Sequence, residues 1–365
     1  MKIPNTWQPI EQEDWTNWKW QMQHRITDLT KLQKHVSLFP QEEEGFAAGN
    51  EFFSFAATPY YLSLVSEDIS CPIRKQLLPV SAELEHSSQE REDPLAEERD
   101  MPIKGVTHRY PDRAIWYLSH TCAVFCRFCT RKRKVGQFQE TPRKEEIDAA
   151  LTYFRQNREI REVILSGGDP LTLSDQKLAF LLRELKAVPH INQIRIHTRY
   201  PVTLPFRITE SLCETLKEFF PLYIVTHFNH AKECTTEAKS AIKALITQAN
   251  CIVLNQSVLL SGVNDSVTEM QDLLYTLTGM GVKPYYIHQC DEVFGSSHFR
   301  VPIAKGIRLM KSLRGQISGL CNPLYVVDLT GGGGKVPVPL DYLESITEAG
   351  YQFHNFRQET YVVGH

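Results

Sequence analysis

The stretch that decides the fold is AIWYLSHTCAVFCRFC at residues 114–129, and VILSGGD at 163–169 begins in the same way. In each, a short apolar run typical of a buried strand ends in small or polar residues. A helical pattern over residues 145–156 lies between them, and its apolar face consists of Ile147, Ala150, Leu151 and Phe154. A strand, a helix and a second strand in this order are the unit from which parallel sheets are built.

The alternation continues to residue 328 and predicts an α/β protein. Further helices are predicted at 175–187, 208–220, 235–249, 266–280 and 302–314, and further strands at 191–197, 222–227, 252–258, 284–289 and 324–328. About six such units favour a partial, TIM-like (β/α)6 barrel over a closed eight-unit one. Barrel enzymes collect their chemistry at the strand ends. The polar residues found there are Gly167, Asp169, His197, His227, Gln256, Asp291 and Asp328.

The chain is expected to contain three regions. Residues 1–105 are predicted to form a helical N-terminal region that ends in a charged surface linker, AELEHSSQEREDPLAEERD, at 82–100. Residues 106–340 are predicted to form the barrel, and residues 341–365 a short C-terminal extension.

Composition limits the classes of function. The chain has 365 residues, of which 42% are hydrophobic and 23% charged, as in ordinary globular proteins. A net charge of -3 argues against a nucleic-acid or membrane-surface binder. No apolar run approaches the roughly 20 residues that a membrane-spanning helix needs. The opening MKIPNTWQPIEQEDW lacks the apolar core of a secretory signal, so a cytoplasmic location is expected.

Three of the nine cysteines, Cys122, Cys126 and Cys129, lie on one short loop after the first predicted strand. Thiolates spaced in this way can converge on one soft metal centre. A zinc ion would normally need a fourth protein ligand, whereas a 4Fe-4S cluster with three thiolates keeps one iron open for another ligand. A chance grouping of ordinary cysteines is the third interpretation. The six cysteines outside this loop are predicted to be small buried hydrophobic residues. They are Cys71, Cys213, Cys234, Cys251, Cys290 and Cys321.

Two glycine-rich stretches follow predicted strands. In Ser166-Gly167-Gly168-Asp169, the glycines would let a backbone edge approach a ligand, although such turns are common. GGGGK at 331–335 does not fit a P-loop, because position 329 is Leu and prolines follow the lysine. Lys335 on a flexible glycine hinge could instead form a Schiff base with a carbonyl cofactor, or be an exposed lysine on a turn.

Two basic groups flank the first predicted strand. THRYPDR at 107–113 could bind a phosphate and stack on a ring, or form a solvated charge cluster. The run RKRK at 131–134 is predicted to be mostly a solvated face, and it is too short to indicate nucleic-acid binding. Within it, Arg131 is the candidate for pairing a substrate carboxylate, because its planar fork fits that group.

Together these stretches resemble the lysine 2,3-aminomutase family of the radical S-adenosylmethionine superfamily. The resemblance covers nearly the whole chain. Besides the cysteine loop with TRKR it includes EDWTNWKWQ (13–21), TPYYLSL (58–64), THRYPDR (107–113), SGGDPL (166–171), THFNH (226–230), NQSVLLSGVND (255–265), KPYYIHQCD (283–291), HFR (298–300) and VVDLTGGGGK (326–335).

The resemblance implies roles for particular residues. Cys122, Cys126 and Cys129 would hold the 4Fe-4S cluster, whose open iron would bind S-adenosylmethionine. Contacts to S-adenosylmethionine would come from Ser166, Gly167, Gly168, Asp169, His227 and Gln256. Lys335 would be the pyridoxal 5′-phosphate lysine. That cofactor would be surrounded by His108, Arg109, Tyr110 and Arg113. Arg131 would hold the carboxylate of L-lysine, and Asp291 and Asp328 would grip its ε-ammonium; two neighbouring carboxylates repel unless a cation separates them.

The implied reaction is an isomerisation of L-lysine to β-lysine (3,6-diaminohexanoate). A 5′-deoxyadenosyl radical removes a hydrogen from carbon 3, and the amino group shifts from carbon 2 to carbon 3 through a pyridoxal phosphate aldimine. The resemblance also implies a reductant such as flavodoxin or ferredoxin, and a homo-oligomer. Clostridial-type members use a C-terminal cysteine cluster and a cysteine after GVND for a structural zinc. Here Ser266 stands at that position and the tail lacks cysteine, so no structural zinc is predicted.

Other functions remain open at this point. The β-lysine could serve elongation factor P modification rather than metabolism, which a neighbouring lysyl-transferase gene would indicate. An aminomutase acting on glutamate or arginine is a second possibility. A radical enzyme that modifies RNA, or a non-catalytic cluster-binding module, is a third, but neither gives a reason for Lys335.

Overall fold

The computed structural model describes residues 3–49, 53–85, 87–137, 141–347 and 350–364. Its α-helices are α1 (Gln12–Thr16), α2 (Trp18–Gln23), α3 (Leu29–Leu32), α4 (Pro40–Gly49), α5 (Pro59–Leu62), α6 (Pro72–Leu77), α7 (Lys144–Gln156), α8 (Asp175–Lys186), α9 (Tyr200–Thr203), α10 (Glu210–Lys217), α11 (Thr236–Thr247), α12 (Val267–Gly279) and α13 (Ile303–Leu313). Short 3-10 turns cover Asn5–Trp7, Ser81–Leu84, Pro170–Thr172, Pro205–Arg207, Ala231–Glu233, Ser297–Phe299 and Gly319–Cys321.

A single large sheet follows chain order from β1 to β9. Its strands are β1 (Val106–Tyr110), β2 (Arg113–Ser119), β3 (Glu162–Gly167), β4 (Gln193–His197), β5 (Tyr223–Thr226), β6 (Ile252–Leu259), β7 (Lys283–Gln289), β8 (Leu324–Leu329) and β9 (Gly334–Pro337). Strands β2 to β8 are parallel, whereas β1 and β9 pair antiparallel with β2 and β8 at the two edges. Six helical crossovers join the parallel strands, so the (β/α)6 prediction is confirmed.

Helix α7 shows why the predicted elements form where they do. Its predicted apolar face is buried, while its exposed face carries charged residues. The residues that start other helices act as caps: Ser174, Thr235 and Ser266 each accept a hydrogen bond from a backbone N–H in the first turn of α8, α11 and α12. Such caps satisfy donors that a helix leaves unpaired at its N-terminus.

The N-terminal helices share one hydrophobic core with the barrel. Trp15 and Leu32 are fully buried, and they belong to the same cluster as the strand residues Leu165 and Ile194. The six cysteines outside the loop are all buried and free, as predicted. None of the helices in the described residues combines the length and apolar composition needed to span a bilayer.

The two charged segments differ from the sequence prediction. Residues 82–100 were predicted to be a surface linker and 131–134 a mostly solvated face, but Glu83, Glu97 and Lys132 are buried. The acidic segment packs on the cysteine loop and its flank: Glu83 pairs with Arg127 at 2.6 Å, and Glu97 with Arg131 at 2.7 Å. A run of charged residues stays in contact with water unless a segment of opposite charge packs against it. Here the acidic and basic segments pack together and neutralise each other.

The C-terminal extension folds as a separate antiparallel sheet of β10 (Leu343–Thr347), β11 (Gly350–His354) and β12 (Thr360–Val363). Large apolar side chains on this sheet are exposed, including Ile346, Tyr361 and Val363. The sequence prediction described this region only as an extension.

Candidate active site

The ends of the parallel strands surround a cavity of about 590 Å³. All but one of the predicted site residues line it: Arg109, Tyr110, Arg113, Cys122, Cys126, Cys129, Arg131, Ser166, Gly167, Gly168, Asp169, His227, Gln256, Asp291, Asp328 and Lys335. Residues as distant in sequence as 109 and 335 therefore meet at one place, as expected for a barrel enzyme.

The cysteine loop forms one wall of this cavity. Burial is the main cause that raises the pKa of Cys129 to about 11, and it raises the pKa of Cys122 well above its usual range. The charges of the neighbouring cysteines raise both values further, which shows that the thiols lie near one another. Within the described ranges, no three His, Cys, Asp or Glu side chains converge on a single metal ion. Three cysteines on one cavity wall are the ligand set of a 4Fe-4S cluster, in which three irons each take one thiolate.

The paired glycines at the end of β3 make room for that loop. A Cβ atom on Gly167, whose φ is +130°, would lie 2.2 Å from the carbonyl oxygen of Ser119. A Cβ atom on Gly168 would lie 2.5 Å from the carbonyl oxygen of Thr121. The glycines therefore allow close packing between two backbone segments, where the sequence suggested an approach to a ligand.

The carboxylate of Asp169 accepts hydrogen bonds from other groups of the protein. It accepts hydrogen bonds from the Thr198 hydroxyl at 2.7 Å and from the backbone N–H groups of Arg199 and Leu171. Burial raises the pKa of Asp169 to about 7, although these bonds lower it. Asp169 thus fixes the turn after β3 against the end of β4.

Two further predicted residues line the cavity, His227 just after β5 and Gln256 on β6. Burial lowers the pKa of His227 well below its usual value, so its ring is neutral. His227 contacts Asn229 through Nε2 at 3.0 Å, and its ring lies 5.4 Å from that of Phe128 in the cysteine loop. Gln256 contacts Nδ1 of His197 at 3.4 Å.

Arg131 is held from behind by Glu97. Its Nε and Nη2 atoms donate to the Glu97 carboxylate at 3.0 and 2.7 Å, and Nη1 donates to the Ser166 hydroxyl at 3.1 Å. The Glu97 carboxyl is buried, yet the charge and hydrogen bonds of Arg131 hold its pKa below the usual range. The guanidinium is therefore fixed in direction before any ligand arrives.

Lys335 lies on β9 directly opposite Asp328 on β8, and not on a flexible hinge as the sequence suggested. Its Nζ donates to Asp328 Oδ2 at 2.5 Å and lies 3.1 Å from Nδ1 of His288. The Lys335 backbone N–H donates to the Tyr110 hydroxyl at 2.7 Å. Although burial opposes it, the contacts of Asp328 with His288 and Lys335 hold its pKa far below the usual range.

Asp291 is the other carboxylate of this group, and the charge of Lys335 acts on it from beyond hydrogen-bond distance. No donor in the described part of the chain forms a hydrogen bond with its carboxylate, whereas Asp328 has Lys335. Burial raises the pKa of Asp291 to about 8, and the charge of Asp328 raises it further. This corner of the cavity therefore contains two half-buried carboxyl groups, of which only Asp328 forms an ion pair with Lys335.

His108 is the predicted residue that the structure places elsewhere. Its Nδ1 atom contacts the hydroxyl of Tyr153 on α7 at 2.7 Å. Side chains alternate along a strand, so Thr107 and Arg109 line the cavity while His108 faces the other way. His108 therefore does not line the cavity, and its contact with pyridoxal phosphate stays a prediction that this arrangement does not favour.

Arg109 and Arg113 each form an ion pair with an aspartate. Arg109 pairs with Asp100 at 2.6 Å, and Arg113 pairs with Asp112 at 2.8 Å while lying 3.8 Å over the Tyr110 ring. Both still line the cavity.

Several residues at the site were missed by sequence reasoning. Glu97 lies in the charged segment, where no pattern separates it from its acidic neighbours. His288 and Arg199 follow the strand-end pattern, since one lies near the end of β7 and the other just after β4. That pattern could have identified both.

A three-cysteine loop after the first parallel strand of a (β/α)6 barrel defines the class of radical S-adenosylmethionine enzymes. The model of the Radical SAM superfamily matches residues 116–273, and the model described as Lysine-2,3-aminomutase matches residues 310–360.

Similarity to individual enzymes identifies the family within this superfamily. It is 45% identical to the L-lysine 2,3-aminomutase of Acetoanaerobium sticklandii over 95% of this chain and 84% of the relative. It is 43% identical to that of Clostridium subterminale over 95% and 83%. Identity to the glutamate 2,3-aminomutase of Clostridioides difficile is also 43%, over 92% and 79%. The chain belongs to the lysine 2,3-aminomutase family and is a radical S-adenosylmethionine aminomutase. Membership implies S-adenosylmethionine and an iron–sulfur cluster.

Proposed function

We propose that this enzyme converts L-lysine to β-lysine with a 4Fe-4S cluster, S-adenosylmethionine and pyridoxal 5′-phosphate. The observation that carries the proposal is Asp291, a half-buried carboxylate beside the ionised Asp328 that forms no ion pair with any described residue. A substrate with a distal ammonium supplies the missing positive charge. Buried charge without a partner is costly, so such a pocket selects cations.

The same pocket argues against glutamate, although one relative carries that name. A distal carboxylate would place a further negative charge beside the ionised Asp328 and would keep Asp291 protonated. Like charges within a few ångströms in a buried site repel strongly. Arginine carries a cation, but its guanidinium is broader than an ammonium and needs a planar set of acceptors.

The opposite end of the substrate is assigned to Arg131. Glu97 occupies the Nε–Nη2 edge of its guanidinium, and Ser166 accepts one N–H of Nη1. The donors that remain can pair with an α-carboxylate, which suits the fork geometry of arginine. An amino acid held at its carboxylate and at its distal ammonium has carbons 2 and 3 fixed between the two ends. This orientation favours one reaction path.

The residues around the cavity fit these three groups. When bound, the cluster and S-adenosylmethionine supply a carbon radical, and pyridoxal phosphate supplies a conjugated carrier for the migrating nitrogen. Cys122, Cys126 and Cys129 are assigned to the cluster, and Lys335 is assigned to the cofactor aldehyde. Tyr110 orients the Lys335 backbone, and Arg109 and Arg113 provide positive charge for a phosphate.

Part of the cavity wall is apolar. Apolar side chains between the cysteine loop and the strand ends, such as Val124, Phe128 and Val258, line it. A dry site prevents side reactions of radicals and strengthens the ionic contacts that hold the substrate.

Several properties complete the proposal. The enzyme acts in the cytoplasm without nucleic acid or membrane, takes electrons from a flavodoxin or ferredoxin, contains no structural zinc and forms a homo-oligomer. The exposed apolar residues of β10 to β12 support self-association, because large apolar patches commonly mark interfaces.

The test is an anaerobic assay of the reconstituted enzyme with S-adenosylmethionine, pyridoxal phosphate and a reductant. Lysine, glutamate, arginine and ornithine are offered separately, and their β-isomers are quantified by mass spectrometry. We expect β-lysine as the main product and no β-glutamate. Turnover of glutamate without turnover of lysine would contradict the proposal. The control is the Cys126→Ser enzyme, which should form no β-isomer of any amino acid.

A further inference from the structure

Arg199, which follows β4, contacts a cysteine of the cluster loop. Its guanidinium is buried, and Nη1 donates a hydrogen bond to Sγ of Cys126 at 2.7 Å. The ring of Phe128, two residues further along the loop, lies 5.2 Å from the same guanidinium. A permanently charged group therefore lies in contact with a cluster ligand.

The position of Arg199 is fixed by the protein on every side. Nε donates to the carbonyl oxygen of His227 at 3.1 Å. Nη2 donates to Glu233 Oε1 and Gln76 Oε1, each at 2.7 Å, and to the Tyr61 hydroxyl at 3.2 Å. With these bonds made, the guanidinium cannot turn away from Cys126 without breaking buried hydrogen bonds.

Glu233 balances the charge of Arg199 from the far side. It is fully buried, and its second oxygen accepts hydrogen bonds from the backbone N–H groups of Asn229 and His230. The order in space is a carboxylate, then a guanidinium, then the cysteine sulfur. The cation is therefore nearer to the cluster ligand than its counter-ion is.

We propose that Arg199 raises the reduction potential of the iron–sulfur cluster and that Glu233 moderates this effect. One-electron reduction adds negative charge to the cluster, and a nearby cation with an N–H···S bond stabilises that charge. Hydrogen bonds to sulfur and net local charge are two of the factors that set cluster potentials. Burial keeps the effect from being screened by water and salt.

Other charged groups lie around the loop. The charges of Arg131 and Lys132 also act on Cys129, and the Arg131 backbone N–H donates to Sγ of Cys129 at 3.4 Å, but the side chains of both residues donate to oxygen atoms. Arg25 donates to the backbone carbonyl oxygen of Cys122, not to a sulfur atom. Asp169 is bonded to Thr198 and to backbone N–H groups. Among the described residues, the hydrogen bonds from an arginine guanidinium to a loop sulfur come from Arg199 alone.

The test is a potentiometric titration of the reconstituted cluster, followed by electron paramagnetic resonance in the absence of substrate. Arg199→Gln should lower the potential, and Arg199→Lys should lower it less. Glu233→Gln should shift it in the opposite direction. We expect at least a tenfold change in the equilibrium constant for reduction in Arg199→Gln, which is about 59 mV for a one-electron couple.

The matched control is Arg74→Gln. Arg74 forms an equally buried ion pair with Glu42, but its other partners are the carbonyl oxygens of Ser37 and Ser66 in the N-terminal region. This variant should lose stability without a shift in potential.

Opposite shifts in Arg199→Gln and Glu233→Gln would support the proposal, because a merely structural role would move both in the same way. Unchanged potentials, or shifts of the same sign, would overturn it. If Arg199→Gln fails to hold a cluster, Glu233→Gln alone decides by the sign of its shift. The titration involves no lysine, so its result is independent of the proposed substrate.

Discussion

The cation pocket predicts how lysine recognition depends on pH. Burial, followed by the charge of Asp328, raises the pKa of Asp291 to about 8. In the free enzyme at neutral pH this carboxyl is mostly protonated, whereas Asp328 is ionised. An ammonium that binds between them favours the ionised form of Asp291, so lysine binding should release a proton.

The size of the effect follows from that pKa. At pH 7, one unit below the pKa, about a tenth of Asp291 is ionised, which weakens lysine binding by about 1.4 kcal/mol relative to the fully ionised pocket. Below the pKa, kcat/KM for lysine should fall about tenfold per pH unit. Replacing Asp291 by Asn removes one of two charges near the ammonium. A charge pair at about 4 Å with an effective dielectric constant of about 20 contributes roughly 4 kcal/mol, so above the pKa the loss of kcat/KM should approach a thousandfold. At pH 7, where most of Asp291 is already protonated, the loss should be about a hundredfold.

The assay is kcat/KM for lysine across the neutral and alkaline range, with calorimetry in buffers of different ionisation enthalpy to count protons. Asp291→Asn should lose both the acidic limb and the proton release, while the cluster spectrum stays unchanged. A flat profile in the natural enzyme would refute the reasoning. So would an acidic limb and proton release that persist in the Asn variant.

Three further predictions concern neighbouring residues. Glu97→Ala frees Arg131 from its fixed direction and should raise KM for lysine about tenfold or more, with iron content unchanged; an unchanged KM would show that Glu97 does not position Arg131. Gly168→Ala would place a Cβ atom 2.5 Å from the Thr121 carbonyl oxygen and should displace the cysteine loop. The bound iron should therefore fall, while the circular dichroism spectrum stays close to that of the parent enzyme. Full iron content would contradict this prediction. Lys335→Met should abolish the pyridoxal adduct trapped by borohydride, as seen by peptide mass spectrometry, and an adduct on another lysine would reassign the role.

Most of the barrel could be predicted because its signals are local. The apolar face of α7 repeats at helical spacing, and the parallel strands are short apolar runs bounded by polar residues. Asp291, Asp328 and His227 follow predicted strands. They could be expected to lie at one place because the carboxyl ends of parallel strands share one edge of the barrel.

The features that the sequence did not predict depend on contacts between distant segments. Glu97 lies under Arg131 because two charged stretches fold against each other, and neither stretch alone differs from a solvated one. The edge strand β9 has only four residues, and its pairing with β8 converts a suspected hinge into a fixed position for Lys335. His108 was misplaced because β1 was not predicted as a strand, so the alternation of its side chains was not considered.

The central claim is that this chain moves the amino group of lysine from carbon 2 to carbon 3. The most direct measurement uses lysine labelled with ¹⁵N at the α-amino group, incubated anaerobically with the reconstituted enzyme, and locates the label in the product by nuclear magnetic resonance. We expect ¹⁵N on carbon 3 of β-lysine, with none on the distal nitrogen. A β-lysine whose carbon 3 carries unlabelled nitrogen, or lysine recovered without any β-isomer, would contradict the claim.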